Sequence, residues 1–163
     1  TCERKVASGT TGRKLMAKTH SPRFEAYAER VKKSLHDQPF MHETLGAQAT
    51  KIEPGMVEIS VPVQDSMLQP HGNVHGIIAS AVADSAAGYA AQTLLADGYD
   101  VVTVEYKINY MAPGIGEKIV AVGEVVRAGR TLSVCSADVF AETNGERTVF
   151  AHFVTTMMAV EQS

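Results

Sequence analysis

Residues 69–96 read QPHGNVHGIIASAVADSAAGYAAQTLLA, and this stretch decides the fold. A loop with Pro70, Gly72 and Asn73 leads into a run of small and apolar residues from about Val74 to Ala96, which Asp97-Gly98 closes as a turn. From Ile77 to Leu95 the run approaches membrane-spanning length, but alanine dominates it and Ser80, Asp84, Ser85 and Gln92 interrupt it. It reads as a buried helix of a soluble protein. Its Ala, Gly and Ser side chains let a second layer of structure approach closely.

Outward from this helix the patterns are those of strands. Leu45 to Ile52 and Met56 to Val63 flank Glu53-Pro54-Gly55, and Val57, Ile59, Val61 and Val63 alternate with Glu58, Ser60 and Pro62, which predicts a hairpin. After the helix come four segments of strand character, 101–110, 118–127, 131–141 and 147–159. Pro113-Gly114-Ile115-Gly116, Ala128-Gly129 and the tight-turn signal Asn144-Gly145 separate them. They are expected to form an antiparallel meander. Upstream, Ser21-Pro22 with Phe24, Tyr27, Val31 and Leu35 predicts an amphipathic helix over 22–36. The sum is an α+β domain, an antiparallel sheet wrapped around one long central helix.

The chain has 163 residues, enough for one domain over 21–163 with a core that needs neither disulfides nor a structural metal. Residues 1–20 lack hydrophobic periodicity and are expected to be a flexible leader or an added extension. They hold no apolar stretch of the length a secretory signal needs. The net charge of −3 gives no global attraction to nucleic acid. With two cysteines, Cys2 and Cys135, a disulfide framework is not expected, and a cytoplasmic setting without membrane attachment fits best.

Asp84 is the single carboxylate between His75 and Ala96. Burying a carboxylate on an apolar helix is costly unless it is hydrogen-bonded or put to use, and burial raises its pKa. It either serves chemistry or caps a backbone group, pairs with a base or faces solvent. Gly76 stands at the helix start, where unpaired N–H groups bind developing negative charge, or where glycine simply eases the transition from loop to helix. His71 and His75 are four apart but sit around Pro70 and Gly72, a poor frame for a metal pair. Ser80 and Ser85 lack a nucleophile elbow, and neither a phosphate-binding loop nor a cofactor motif is present.

The segment from Gln69 to Asp84 resembles the phenylacetate-pathway and 4-hydroxybenzoyl-CoA thioesterases of the hotdog superfamily, in which Gln, an HG pair and an acid recur at these separations. The likeness extends over about residues 40–160. It includes Val104-Glu105-Tyr106, Asn109-Tyr110-Met111-Ala112-Pro113, Gly116-Glu117 and Gly129-Arg130-Thr131. The resemblance implies a hotdog fold and hydrolysis of an acyl-CoA or aryl-acyl-CoA thioester. In that scheme Asp84 is the nucleophile or general base, Gly76 the backbone donor to the carbonyl, Gln69 a positioning group and His75 the histidine beside the glycine. Thr103 falls near a hydroxyl position that orients water in some relatives. Two departures stand out: Ile77 replaces the second glycine of HGG, and Gly88 replaces a hydroxyl one turn beyond the acid.

Coenzyme A phosphates call for basic groups, and Arg130, Arg127, Lys118 and Lys107 are the candidates, Arg130 by resemblance; each could equally be a solvated surface charge. Gly76 and Asp84 are eight residues apart on one helix, about 12 Å along its axis, so one carbonyl cannot touch both. If both act on one thioester, they come from two subunits. A homodimer is then the minimum catalytic unit, and the resemblance extends this to a tetramer. The competing functions are a noncatalytic acyl-CoA sensor or carrier, and a hotdog dehydratase or hydratase.

Overall fold

The computed structural model describes residues 20–162. Helix α1 (Tyr27–His36) and a short wide turn at Phe40–Thr44 precede strands β1 (Gln48–Glu53) and β2 (Met56–Pro62). A single 3-10 turn at Asp65–Met67 leads to α2 (Gly76–Gln92). Strands β3 (Tyr99–Tyr110), β4 (Lys118–Arg127), β5 (Leu132–Thr143) and β6 (Glu146–Glu161) follow. All six strands form one antiparallel sheet in the order β1-β2-β4-β5-β6-β3.

The central helix is apolar around most of its circumference, which marks a helix enclosed by its surroundings. Ala79, Ala83, Ala86, Ala87 and Ala90 are fully buried, and α2 packs against β2 through β6, β4 above all. The closest approach is at Gly123 of β4, where a Cβ would fall on the backbone of Ala86 and lie 2.5 Å from Ala87 N. Small residues on both layers therefore set the distance between helix and sheet. Ile59, Val61, Ile119, Val139, Phe150 and Phe153 complete the core.

The turn chemistry reads through directly. Asn144 and Gly145 have φ of 52° and 81°, as a primed two-residue hairpin turn requires. Several expectations need correction. The four later strands are not a simple meander: β4 has β2 on one side and β5 on the other, so β3 crosses to the far edge and pairs with β6. The first helix starts at Tyr27, not 22, because Phe24 turns back to put its ring 4.9 Å from the Arg30 guanidinium instead of joining a helical stripe. The first strand begins at Gln48, not Leu45, since Gly46 has a φ of 65° that breaks an extended run.

The central helix is shorter than 74–96. Val74 bridges to Leu68, and His75, at ψ 134°, is the N-cap. At the other end the Thr93 hydroxyl turns back on Ala90 O, and Arg30 donates to the carbonyls of Gln92, Leu95 and Ala96. That cation from α1 satisfies the orphan acceptors of the helix C-terminus. The leader expected over 1–20 falls outside the described residues except for His20, whose Nε2 lies 3.3 Å from Val125 O. Among the described residues no helix is long and apolar enough to cross a membrane.

Strand β3 is an edge of twelve residues carrying exposed Val102, Val104, Tyr106 and Tyr110. An irregularity between Thr103 and Glu105 interrupts its ladder with β6. This bulge matters to the site. Thr103 and Tyr110 are an odd number of residues apart, and one extra residue returns both side chains to the face that meets α2.

Candidate active site

Asp84 sits half-buried on α2, and its Oδ1 accepts a 2.8 Å hydrogen bond from Thr103 Oγ1 on β3. Burial pushes the Asp84 carboxyl above the ordinary aspartate range, and the Thr103 hydrogen bond pulls in the opposite direction. Thr103 Oγ1 also lies 3.5 Å from Met157 Sδ of β6. The acid opens onto a cavity of about 710 Å³ shared with Ser85 and Gly88 and lined by Arg30 and Ser34 of α1 and by Asp37 at its C-terminal cap. The participation of α1 has no signal in the sequence beyond its amphipathic stripe.

Eight residues earlier, the N-terminus of α2 faces a different cavity, of about 480 Å³, lined by Gln69, Asn73, His75, Gly76 and Tyr110. The His75 side chain accepts from Ile77 N–H at 3.3 Å, using one of the free donors of the first turn. Tyr110 Oη donates to Gly76 O at 2.8 Å and lies 2.8 Å from Ser80 Oγ. Its ring is the reason for glycine: a Cβ at residue 76 would be 2.8 Å from Tyr110 Cζ. The loop before the helix is closed by Gln69 N–H to Asn73 O at 2.7 Å and by Val74 N–H to Gly114 O at 2.9 Å. Tyr110 and Ser80 are thus part of the helix-start scaffold, a role the sequence does not reveal, although Tyr110 stands in the Asn109–Pro113 motif.

Of the five residues singled out from sequence, the protomer brings them together in two groups: Asp84 with Thr103, and Gln69 with His75 and Gly76. The basic residues divide the same way. Lys118 and Arg127 bracket β4 and lie about 30 Å apart at the rise of a strand. The four candidates therefore do not form one cluster on a protomer. Arg127 and the Arg130 turn are exposed at the end of the sheet that holds Thr103. Lys118 lies at the opposite end, 3.8 Å from Glu142. Lys107 is exposed on edge strand β3.

Comparison with known proteins agrees with this architecture. A model of the thioesterase superfamily matches residues 71–148. The crystal structure of a thioesterase family protein from Silicibacter pomeroyi superposes with a TM-score of 0.80 at 40% identity, covering 83% of this chain and 99% of that one. The PaaI protein of the Escherichia coli phenylacetic acid degradation operon has the same fold, with a TM-score of 0.73 at 19% identity, 84% of this chain and 96% of that chain being covered. The 1,4-dihydroxy-2-naphthoyl-CoA hydrolase of Listeria monocytogenes is 24% identical over 63% of this chain and 84% of its own length.

Proposed function

This chain belongs to the thioesterase superfamily, and we propose that it hydrolyses an acyl-CoA or aryl-acyl-CoA thioester at a site shared between two protomers. The observation that carries the reading is the separation of Asp84 and Gly76 on one helix into two cavities of the same protomer. A thioester carbonyl gathers negative charge on oxygen as it is attacked. A fixed N–H at a helix start, here Gly76, stabilises that charge. Asp84 of the second protomer then either attacks the carbonyl carbon to give a mixed anhydride that water hydrolyses, or takes a proton from the attacking water. On both routes the C–S bond breaks, the thiolate leaves as protonated coenzyme A, and the acyl group ends as a carboxylate.

Edge strand β3 supports the way two protomers meet. A long, partly apolar edge is a template for another strand. If two copies of β3 pair antiparallel about a twofold axis between Tyr106 and Lys107, Thr103 of one copy stands opposite Tyr110 of the other. Thr103 holds Asp84, and Tyr110 holds Gly76. One pairing therefore supplies two equivalent sites, each with both halves. Gln69 and His75 accompany Gly76 as positioning groups, and Thr103 orients Asp84 and opposes the burial that raises its pKa. Arg130, with Arg127, lies at the Asp84 end of the sheet and is assigned to the coenzyme A phosphates. Further association of dimers into a tetramer, through the exposed apolar face that includes Val134 and Val154, fits the same scheme.

A cytoplasmic enzyme of this kind needs no cofactor, and its described cysteine, Cys135, is buried with its thiol pushed up to about 12, which suits a structural role. The test is release of free thiol from a panel of acyl-CoA esters by the wild type and by Asp84→Ala. Turnover that disappears in a folded Asp84→Ala protein supports the reading. Tight acyl-CoA binding without turnover by the wild type would replace it with a sensor or carrier.

A further inference from the structure

Ile77 is 66% exposed, yet it directly follows Gly76 in the first turn of α2 and lines the cavity there. Its N–H is engaged by the His75 side chain, but nothing in the helix calls for its side chain. A β-branched residue is a modest helix former, and the first turn favours acidic groups over an aliphatic one. Ile77 and Asp84 are seven residues apart, about 20° short of two full turns and about 10 Å along the axis, so they share one face of α2. That face turns away from the sheet, against which Ala79, Ala83, Ala86 and Ala90 are buried. We propose that Ile77 of one protomer lines the acyl subsite for the thioester attacked at Asp84 of the other, and that this subsite takes an uncharged aliphatic chain; the inference rests on the thioesterase reading and names its substrate class.

A site shared by two chains brings these residues together. Where Gly76 of one protomer and Asp84 of the second act on one carbonyl, the residue after Gly76 is only about 1.5 Å of helical rise from the oxyanion donor. Helix side chains lean toward the N-terminus, so Ile77 leans over the turn that carries Gly76. It therefore meets whichever substituent of the carbonyl enters the helix-start cavity.

Charge decides which substituent that is. The helix-start cavity is walled by Val74, Ile77, Ala112, Pro113 and Phe150, and no Asp, Glu, Lys or Arg is among the described residues lining it. The cavity beside Asp84 carries Glu29, Lys33, Asp37, Asp97 and Asp100. An aliphatic chain gains about 25 cal/mol per Å² on leaving water for the first. The amide-bearing arm of coenzyme A suits the second, which lies toward the Arg127 and Arg130 end of the sheet. A carboxylate at the far end of the chain would find no cation in the helix-start cavity to offset its lost hydration.

Acetyl-CoA, hexanoyl-CoA, adipoyl-CoA and benzoyl-CoA, each measured as kcat/KM on the full chain, test this. The wild type is expected to prefer hexanoyl-CoA to acetyl-CoA and to adipoyl-CoA about tenfold or more. Ile77→Ala replaces an exposed side chain and keeps the fold. It should lower the hexanoyl-to-acetyl ratio about tenfold, and Ile77→Val, one methylene smaller, about threefold. A parallel fall with every ester would mean that Ile77 serves the carbonyl or the coenzyme A arm, and that result overturns the proposal. So does an unaltered ratio in Ile77→Ala, or a wild type that shows no preference for hexanoyl-CoA or acts on benzoyl-CoA alone; these leave the thioesterase reading standing. If the wild type hydrolyses none of the four, that reading fails, and this inference falls with it.

Discussion

Thr103 Oγ1 donates a 2.8 Å hydrogen bond to Asp84 Oδ1 across the gap between the edge strand and the central helix, and this bond opposes the burial that surrounds the acid. Thr103→Val removes the donor and keeps the shape. Asp84 should then bind its proton more tightly, and the acidic limb of the kcat–pH profile should move to higher pH, with kcat at neutral pH about fivefold lower. A limb that stays in place would show that the hydroxyl does not tune the acid.

Asp84 itself should trade stability for activity. Its folded pKa is raised, so the folded chain holds this proton more tightly than the unfolded chain does. The ionised carboxylate therefore costs stability above the folded pKa, and that cost fades as pH falls from the folded pKa to the unfolded value, below which it is gone. Asp84→Asn is expected to lower kcat by about a hundredfold or more, while raising Tm at neutral pH and losing that advantage near pH ~4. Thermal denaturation at the two pH values, alongside thiol release, checks both signs.

Gly123 tests the packing that places the helix. A methyl group there meets the Ala86 and Ala87 backbone, which has no rotamer to change. Gly123→Ala should cost about 3 kcal/mol, a fall in Tm of about 10 °C. The smaller change Ala79→Gly, far from that contact, should cost about 2 kcal/mol, from helix propensity and the lost burial of one methyl group. Equal losses would mean that the close approach is not what limits the interlayer distance.

Much of this was legible in the sequence because it is local. Asn144-Gly145 specifies its turn by positive φ, and the alanines of 79–90 specify a helix that can be covered closely. Asp84 and Gly76 could be placed on separate sites by counting residues. What was hidden is non-local. Nothing near β3 says that β2 will take the strand position beside β4 and send β3 to the edge. Likewise Lys118 and Arg127 look like neighbours in a list of basic residues until a straight strand puts them at opposite ends. Tyr110 was visible only as part of a motif, since its bond to Gly76 O depends on a bulge at residue 104 that alternation alone does not predict.

The central claim, a site completed by two chains, is tested most directly by subunit complementation. Gly76→Pro deletes the one N–H at issue: proline is well tolerated at the first helical position, and His75 already has the extended ψ of 134° that a following proline requires. Tyr110→Ala can accompany it to clear space for the ring. Co-expressed in equal amounts with Asp84→Asn, each chain inactive alone, the pair should form mixed dimers in half of the population. Each mixed dimer would have one intact site, giving about a quarter of wild-type activity. A mixture no more active than the separate variants would contradict the account.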